Sequence, residues 1–153
     1  MQVIIAPEPF CIRHPSVFLA GSIEQDTAEK WQEDLIRRLA DYPVTILNPR
    51  RKAWDASWDQ SIRHAEFRKQ VEWELAAMER ADFIAMYFAP KTKAPVTLLE
   101  LGLFATSRKL IVCCPEGFWR KGNVDIVCEK YGLKQAGNLD ALVTAIKDSF
   151  WKK

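Results

Sequence analysis

No stretch of this 153-residue sequence approaches the roughly 18 consecutive apolar residues that a membrane-spanning helix needs, so no membrane partner is expected. The first residues, Met1-Gln-Val-Ile-Ile-Ala-Pro7, lack the basic start and long apolar run of a signal peptide. No C-x-x-C pair occurs among the four cysteines Cys11, Cys113, Cys114 and Cys128, and two of them are adjacent in an apolar run. They read as small buried residues of a reducing compartment, with the cytoplasm as the expected location. The two histidines, His14 and His64, have no metal-site spacing, and Ser22 has no evident histidine base for a hydrolase triad. Leu19-Ala-Gly-Ser22 lacks both the P-loop lysine and the spaced glycines of a dinucleotide fingerprint. Nor is there a strong excess of one charge: a net +2 gives no general reason to invoke a nucleic-acid polymer. These absences exclude several catalytic classes and leave carboxylate chemistry, which is expected to need no cofactor and no metal.

What is present is ordinary for a globular domain: 48% hydrophobic and 27% charged residues, in a chain of one-domain length. Short apolar runs alternate with longer helical patterns. Buried strands are expected at Ser16–Gly21, Val44–Asn48, Asp82–Ala89 and Lys109–Cys114, and helices at Ile23–Asp41, Ser61–Ala81, Leu98 to about Ser107, Val124–Tyr131 and Asn138–Trp151. Strand runs without polar alternation, each followed by a helix, imply a parallel sheet covered on both faces. The expected fold is a single doubly wound α/β domain spanning residues 1–153. Ligands of such sheets bind beyond the carboxyl ends of the strands, which directs attention to Gly21-Ser22, Asn48–Gln60, Ala89–Val96 and Pro115–Asp125.

Two glutamates stand out. Glu100 opens a helix whose neighbours Leu98, Leu99, Leu101, Leu103 and Phe104 are apolar nearly all round, as in a buried helix. Thr97-x-x-Glu100 has capping-box spacing with Pro95 just upstream, and spacing alone favours that cap. The alternative is a carboxylate held ionised at the positive end of the helix and aimed into the cleft. Glu74 shares an expected apolar stripe with Phe67, Val71, Leu75 and Met78, where a charge is costly unless paired or functional. A salt bridge or a rim position would also accommodate it. The loop from Asn48 through Arg50, Arg51 and Trp54 to Trp58 mixes cations and aromatics. That mixture suits stacking a base and neutralising a phosphate, and equally suits a structured loop whose tryptophans cover the core edge.

Together, Phe18-Leu-Ala-Gly-Ser22, the Ala81-Asp82 strand opening and Leu99-Glu-Leu-Gly-Leu103 resemble nucleoside 2-deoxyribosyltransferases, over about residues 16–131. Asn48-Pro-Arg-Arg51 and Gln70-Val-Glu-Trp-Glu-Leu75 look like a divergent branch. The resemblance implies a Rossmann-like subunit that exchanges the base of a 2′-deoxynucleoside through a covalent deoxyribosyl-enzyme, as in nucleotide salvage. It makes Glu100 the nucleophile and Glu74 the acidic group near the base. Phe18, Gly21, Ser22, Asn48, Arg50, Trp58 and Thr97 become expected substrate-binding positions. Asn123, or Asp125 beside it, falls near the segment that reaches into a neighbouring subunit's site, so a homo-oligomer with shared sites is implied. The expected partners are a small deoxynucleoside and a nucleobase.

Two departures matter. Phe18 stands where many members carry a tyrosine whose hydroxyl orients the nucleophile, and Ala94 stands near a usual polar or acidic position. They leave the substrate open among nucleoside, 5′-monophosphate and modified nucleoside. An N-glycoside hydrolase on the same scaffold is the nearer alternative, and a non-catalytic nucleotide-sensing module the more distant one.

Overall fold

The computed structural model describes residues 1–24, 28–51 and 55–151. In chain order the elements are β1 (Gln2–Ile5), β2 (Ser16–Gly21), α1 (Trp31–Arg38), β3 (Thr45–Asn48), α2 (Ala65–Arg80), β4 (Phe83–Tyr87), α3 (Pro95–Phe104), β5 (Leu110–Cys113), α4 (Lys121–Tyr131), β6 (Lys134–Ala136) and α5 (Leu139–Trp151). The strands form one six-stranded sheet in the order β1-β3-β2-β4-β5-β6, and every pairing is parallel. This is the expected doubly wound, Rossmann/flavodoxin-like fold.

Alternation along the strands divides the core. Val17 and Leu19 of β2 pack with Trp31, Leu35, Leu142 and Ile146 of α1 and α5. Phe18 and Ala20 point the other way, into the layer of Trp73, Met78, Leu101 and Val124 from α2, α3 and α4. Successive strand residues face opposite sides, so continuous apolar runs serve both faces at once.

The chain doubles back at β2. From β2 it passes through α1 to β3, then returns over β2 through α2 to β4, and continues outward to β5 and β6. Strand order therefore reverses between β2 and its neighbours, which is where such sheets open a crevice. Gly21 makes the close approach there possible: a Cβ at that position would lie 2.4 Å from the Tyr87 carbonyl oxygen and 2.7 Å from the Trp31 ring. At the opposite end of β2, the Asp82 carboxylate accepts from the Ser16 backbone N–H (2.7 Å) and hydroxyl (2.9 Å), so the acid of the Ala81-Asp82 motif clamps β2 to β4.

Several boundaries differ from expectation. β1 and β6 are additional edge strands; Lys134-Gln-Ala136 is too short and polar to show an apolar run. α1 begins at Trp31 rather than Ile23. α2 begins at Ala65, because the His64 Nδ1 accepts from the Phe67 N–H at 3.2 Å and ends the preceding turn.

α3 starts at Pro95, three residues before the expected Leu98. Proline suits the first helical position, having no N–H to satisfy. Thr97 and Glu100 thus sit within the helix rather than at its cap, and Ala94 is the N-cap, with no side-chain cap bond. The capping-box reading is wrong for that reason. α3 is also not buried all round: Val96, Leu99 and Leu103 are 59%, 63% and 55% exposed. Among the described residues no helix is long and apolar enough to cross a membrane.

Candidate active site

A cleft of about 600 Å³ opens at the switch point. Its floor is Phe18, Ala20 and Gly21 at the end of β2; α2 contributes Phe67, Gln70, Val71 and Glu74, and α3 with its approach contributes Lys93 to Thr97 and Glu100. The expected α2 stripe divides around it. Gln70, Trp73, Ala77 and Met78 are the buried face, Leu75 is exposed, and Phe67, Val71 and Glu74 border the cleft. Glu74 therefore lies at the edge of the apolar face, turned toward the cavity.

Glu100 is buried at 7% exposure. Among the described residues its carboxylate has no hydrogen-bond or ion-pair partner, yet neither oxygen is sealed inside the protein. Burial, and next the charge of Glu74, push its pKa up from the ordinary 4.5 to about 8. Glu74 is likewise raised by burial, to about 7, against the opposing pull of a 2.8 Å hydrogen bond donated by Gln70 Nε2. Glu100 lies in the second turn of α3, so the positive end of the helix does little to hold it ionised. The two carboxyl groups titrate as a pair, and a pair of this kind holds a single shared proton over a range around neutrality. The order of the two leaves that proton more often on Glu100 than on Glu74, so the form a nucleophile and a general acid require, with Glu100 ionised and Glu74 protonated, is the less populated singly protonated form of the empty cleft.

The remaining expected positions separate into two groups. Phe18, Gly21, Arg50 and Thr97 border the cleft with the two glutamates. Phe18 lies beneath the cleft, wholly enclosed in the core beside Trp73, and Thr97 is buried on the same side of α3 as Glu100. Arg50 is tied down: its guanidinium donates to the Ala28 and Glu29 carbonyls and to Gln32 Oε1, holding the approach to α1. Ser22, Asn48, Trp58, Asn123 and Asp125 do not line the cleft. The Ser22 hydroxyl donates to Thr92 Oγ1 (2.7 Å) and accepts from the Ala89 N–H (3.0 Å), fixing the loop before α3. Asn48 Oδ1 accepts from the Arg50 N–H in a local turn. Trp58 lies under the Arg51 guanidinium at 5.0 Å, and Trp54 lies outside the described residues. Asn123 is exposed on α4, and Asp125 pairs with Lys121 at 3.0 Å beside a separate pocket of about 230 Å³.

Five polar or charged residues that line the cleft were not among the expected site residues: Glu24, Arg51, Gln60, Gln70 and Lys93. Gln70 had a legible signal, since it lies one turn before Glu74 at i,i+4 spacing. Glu24 had none. Its Oε1 accepts from the Lys93 and Ala94 N–H groups (2.9 and 2.7 Å), so a loop carboxylate supplies the cap that no residue of α3 provides. Among the described residues no three His, Cys, Asp or Glu side chains are gathered to hold a metal ion.

Residues 14–118 match the family model described as nucleoside 2-deoxyribosyltransferase like. No curated protein matches the sequence. Among solved structures, the fold is similar to that of the Clostridium botulinum CMP N-glycosidase, with a TM-score of 0.54 at 17% identity, covering 86% of this chain and 98% of that one.

Proposed function

The chain belongs to the nucleoside 2-deoxyribosyltransferase-like family, and on that premise we propose that it exchanges the base of a 2′-deoxynucleoside, free or as its 5′-monophosphate, by double displacement at Glu100. The observation that carries this reading is a pair of carboxyl groups, Glu100 buried and Glu74 partly buried, facing one cleft with no cation paired to either among the described residues. Ionised Glu100 attacks C1′ from the face opposite the base. The C1′–N bond breaks, its electron pair goes to the base nitrogen, and that nitrogen takes the proton of Glu74. A second base then attacks the glycosyl ester, Glu74 accepts the proton it releases, and the configuration at C1′ is retained. Phe67 and Val71, both partly exposed on the cleft side of α2, give the base an apolar seat.

A hydrolytic outcome on the same residues is the second reading, with water in place of the incoming base. Arg51 and Lys93 at the mouth favour an anionic substrate in either case. The fold's likeness to a CMP N-glycosidase gives that reading a precedent for the scaffold. An oligomer with shared sites agrees with the exposed apolar stripe Val96, Leu99 and Leu103 beside the cleft, and Asn123 is exposed on α4 for such a role.

The deciding experiment is a chromatographic assay of purine and pyrimidine deoxynucleosides and their monophosphates, with and without an acceptor base. Exchange that depends on the acceptor supports the transferase, and release of free sugar regardless of acceptor supports the hydrolase. Glu100→Ala is expected to abolish both while leaving the fold intact. Near-normal turnover in that variant removes Glu100 from the mechanism.

A further inference from the structure

Gln70 is a polar side chain almost wholly enclosed, at 1% exposure, on the inner face of α2. Its Nε2 donates twice: to the Pro49 carbonyl at 3.0 Å and to Glu74 Oε1 at 2.8 Å. Its Oε1 is sealed from solvent and has no partner among the described residues. A buried acceptor left unpaired costs stability, so packing alone is better served at this position by an apolar side chain of similar size.

The geometry settles which way the amide faces. The Pro49 oxygen can only accept, so the atom beside it must be the amide nitrogen. A flipped amide sets oxygen against oxygen there and removes the donor from Glu74. With one N–H committed to the backbone, the other is held on Glu74 Oε1 whatever the protonation state of that carboxyl group. An oxygen that accepts this hydrogen bond is the carbonyl oxygen of the neutral acid, so the acid's proton is carried by the other oxygen, Oε2. Glu74 Oε2 has no partner among the described residues and is not sealed from the cleft.

Building on the proposed function, we infer that Gln70 is a positioning residue that assigns the transferable proton of Glu74 to Oε2, the oxygen free to meet the departing base. The amide holds the carboxyl group through Oε1, and its anchor on Pro49 keeps it from following the substrate. It also favours the ionised state of Glu74, which must form when the proton leaves and be reversed when the second base arrives. The charged groups that border the same cleft are Glu100, Glu24, Arg50, Arg51 and Lys93, and none of them is altered by changing Gln70.

The test is Gln70→Met, which keeps side-chain length and removes the donor, assayed for base release across pH beside wild type and Glu100→Ala. Loss of a charge-assisted hydrogen bond should raise the basic limb of the kcat profile by about one pH unit. kcat itself should fall by roughly tenfold or more, with KM little changed. A basic limb at the wild-type position in an active Gln70→Met enzyme overturns the inference. Inactivity of wild type on every substrate offered counts against the functional reading instead. A second measurement is independent of turnover and of the variant's folding. In wild type the Gln70 side-chain amide resonances should shift with the titration midpoint of the Glu74 carboxyl carbon, and that shift should vanish in Glu74→Gln. Amide resonances indifferent to that titration overturn the inference as well.

Discussion

Two hollows open along the carboxyl edge of the same sheet, and both have acidic residues in their walls. In the smaller one, beyond β5 and β6, Asp125 is paired with Lys121 one helical turn away, and the thiol of Cys114 is pushed up to about 11, chiefly by burial. In the larger one, beside β2, Glu74 has only an amide and Glu100 has no partner among the described residues. A paired surface carboxylate is quiet: its charge is matched by its partner and screened by solvent. Two largely enclosed carboxyl groups in one cavity, neither with a counter-charge, are kept near their proton-transfer range, at a cost in stability that a purely structural site has no reason to carry. Acidity of the wall does not distinguish the two hollows; the withholding of counter-charges does.

The largest effect expected of that contrast is at Glu100. Replacing it with alanine removes the nucleophile and should lower kcat by on the order of 10⁴-fold or more, measured by base release. Glu74→Gln comes next: about 10²–10⁴-fold in kcat, with loss of the basic limb from a bell-shaped profile. A variant that keeps the limb shows that another group is the acid.

Smaller, and independent of turnover, is the effect on folding. The Glu100 pKa is raised from 4.5 to about 8 in the folded chain. Between those values the native state holds a proton that the unfolded chain has released, so stability falls as pH rises through that window. Glu100→Gln should therefore raise Tm by several degrees above pH 8 and leave it nearly unchanged near pH 4, as read by thermal melts. Equal melts at both pH values place the carboxylate in water rather than in a buried cleft. The smallest effect belongs to the other hollow. Lys121→Met breaks its ion pair with Asp125 and should cost less than about 1 kcal/mol of stability. Base exchange should change by less than a factor of about two, within the range of ordinary surface changes. A large loss of activity there merges the two hollows into one functional unit.

Much of this was legible before any coordinates. The four central strands are apolar runs bounded by Gly or Pro, and such runs identify buried parallel strands whatever their neighbours. β1 and β6 escaped notice because edge strands need less apolar surface. Glu100 and Glu74 could be singled out because each interrupts an apolar pattern, and a charge in such a place demands a reason. Ser22 and Asn48 were also singled out, by their place at strand ends. That place is shared by residues that touch ligand and residues that hold loops, and only their hydrogen bonds separate the two kinds. Gln70 sat in view within Gln70–Leu75, but an amide looks the same in sequence whether it faces solvent or pins a carboxylate.

The sequence by itself determined the layers, because hydrophobic periodicity is a local property that each segment carries alone. It also determined which residues could do carboxylate chemistry. Whether Glu100 capped its own helix was decided by where α3 begins, and that rests on Pro95 and on Glu24, 71 residues before it, closing over the helix end. That the two glutamates share one cavity, and that Gln70 reaches Glu74 while anchored to Pro49, was decided only when α2 and α3 were laid on the same face of β2. Contacts between distant segments are set by the sum of the packing, and no single segment contains that sum.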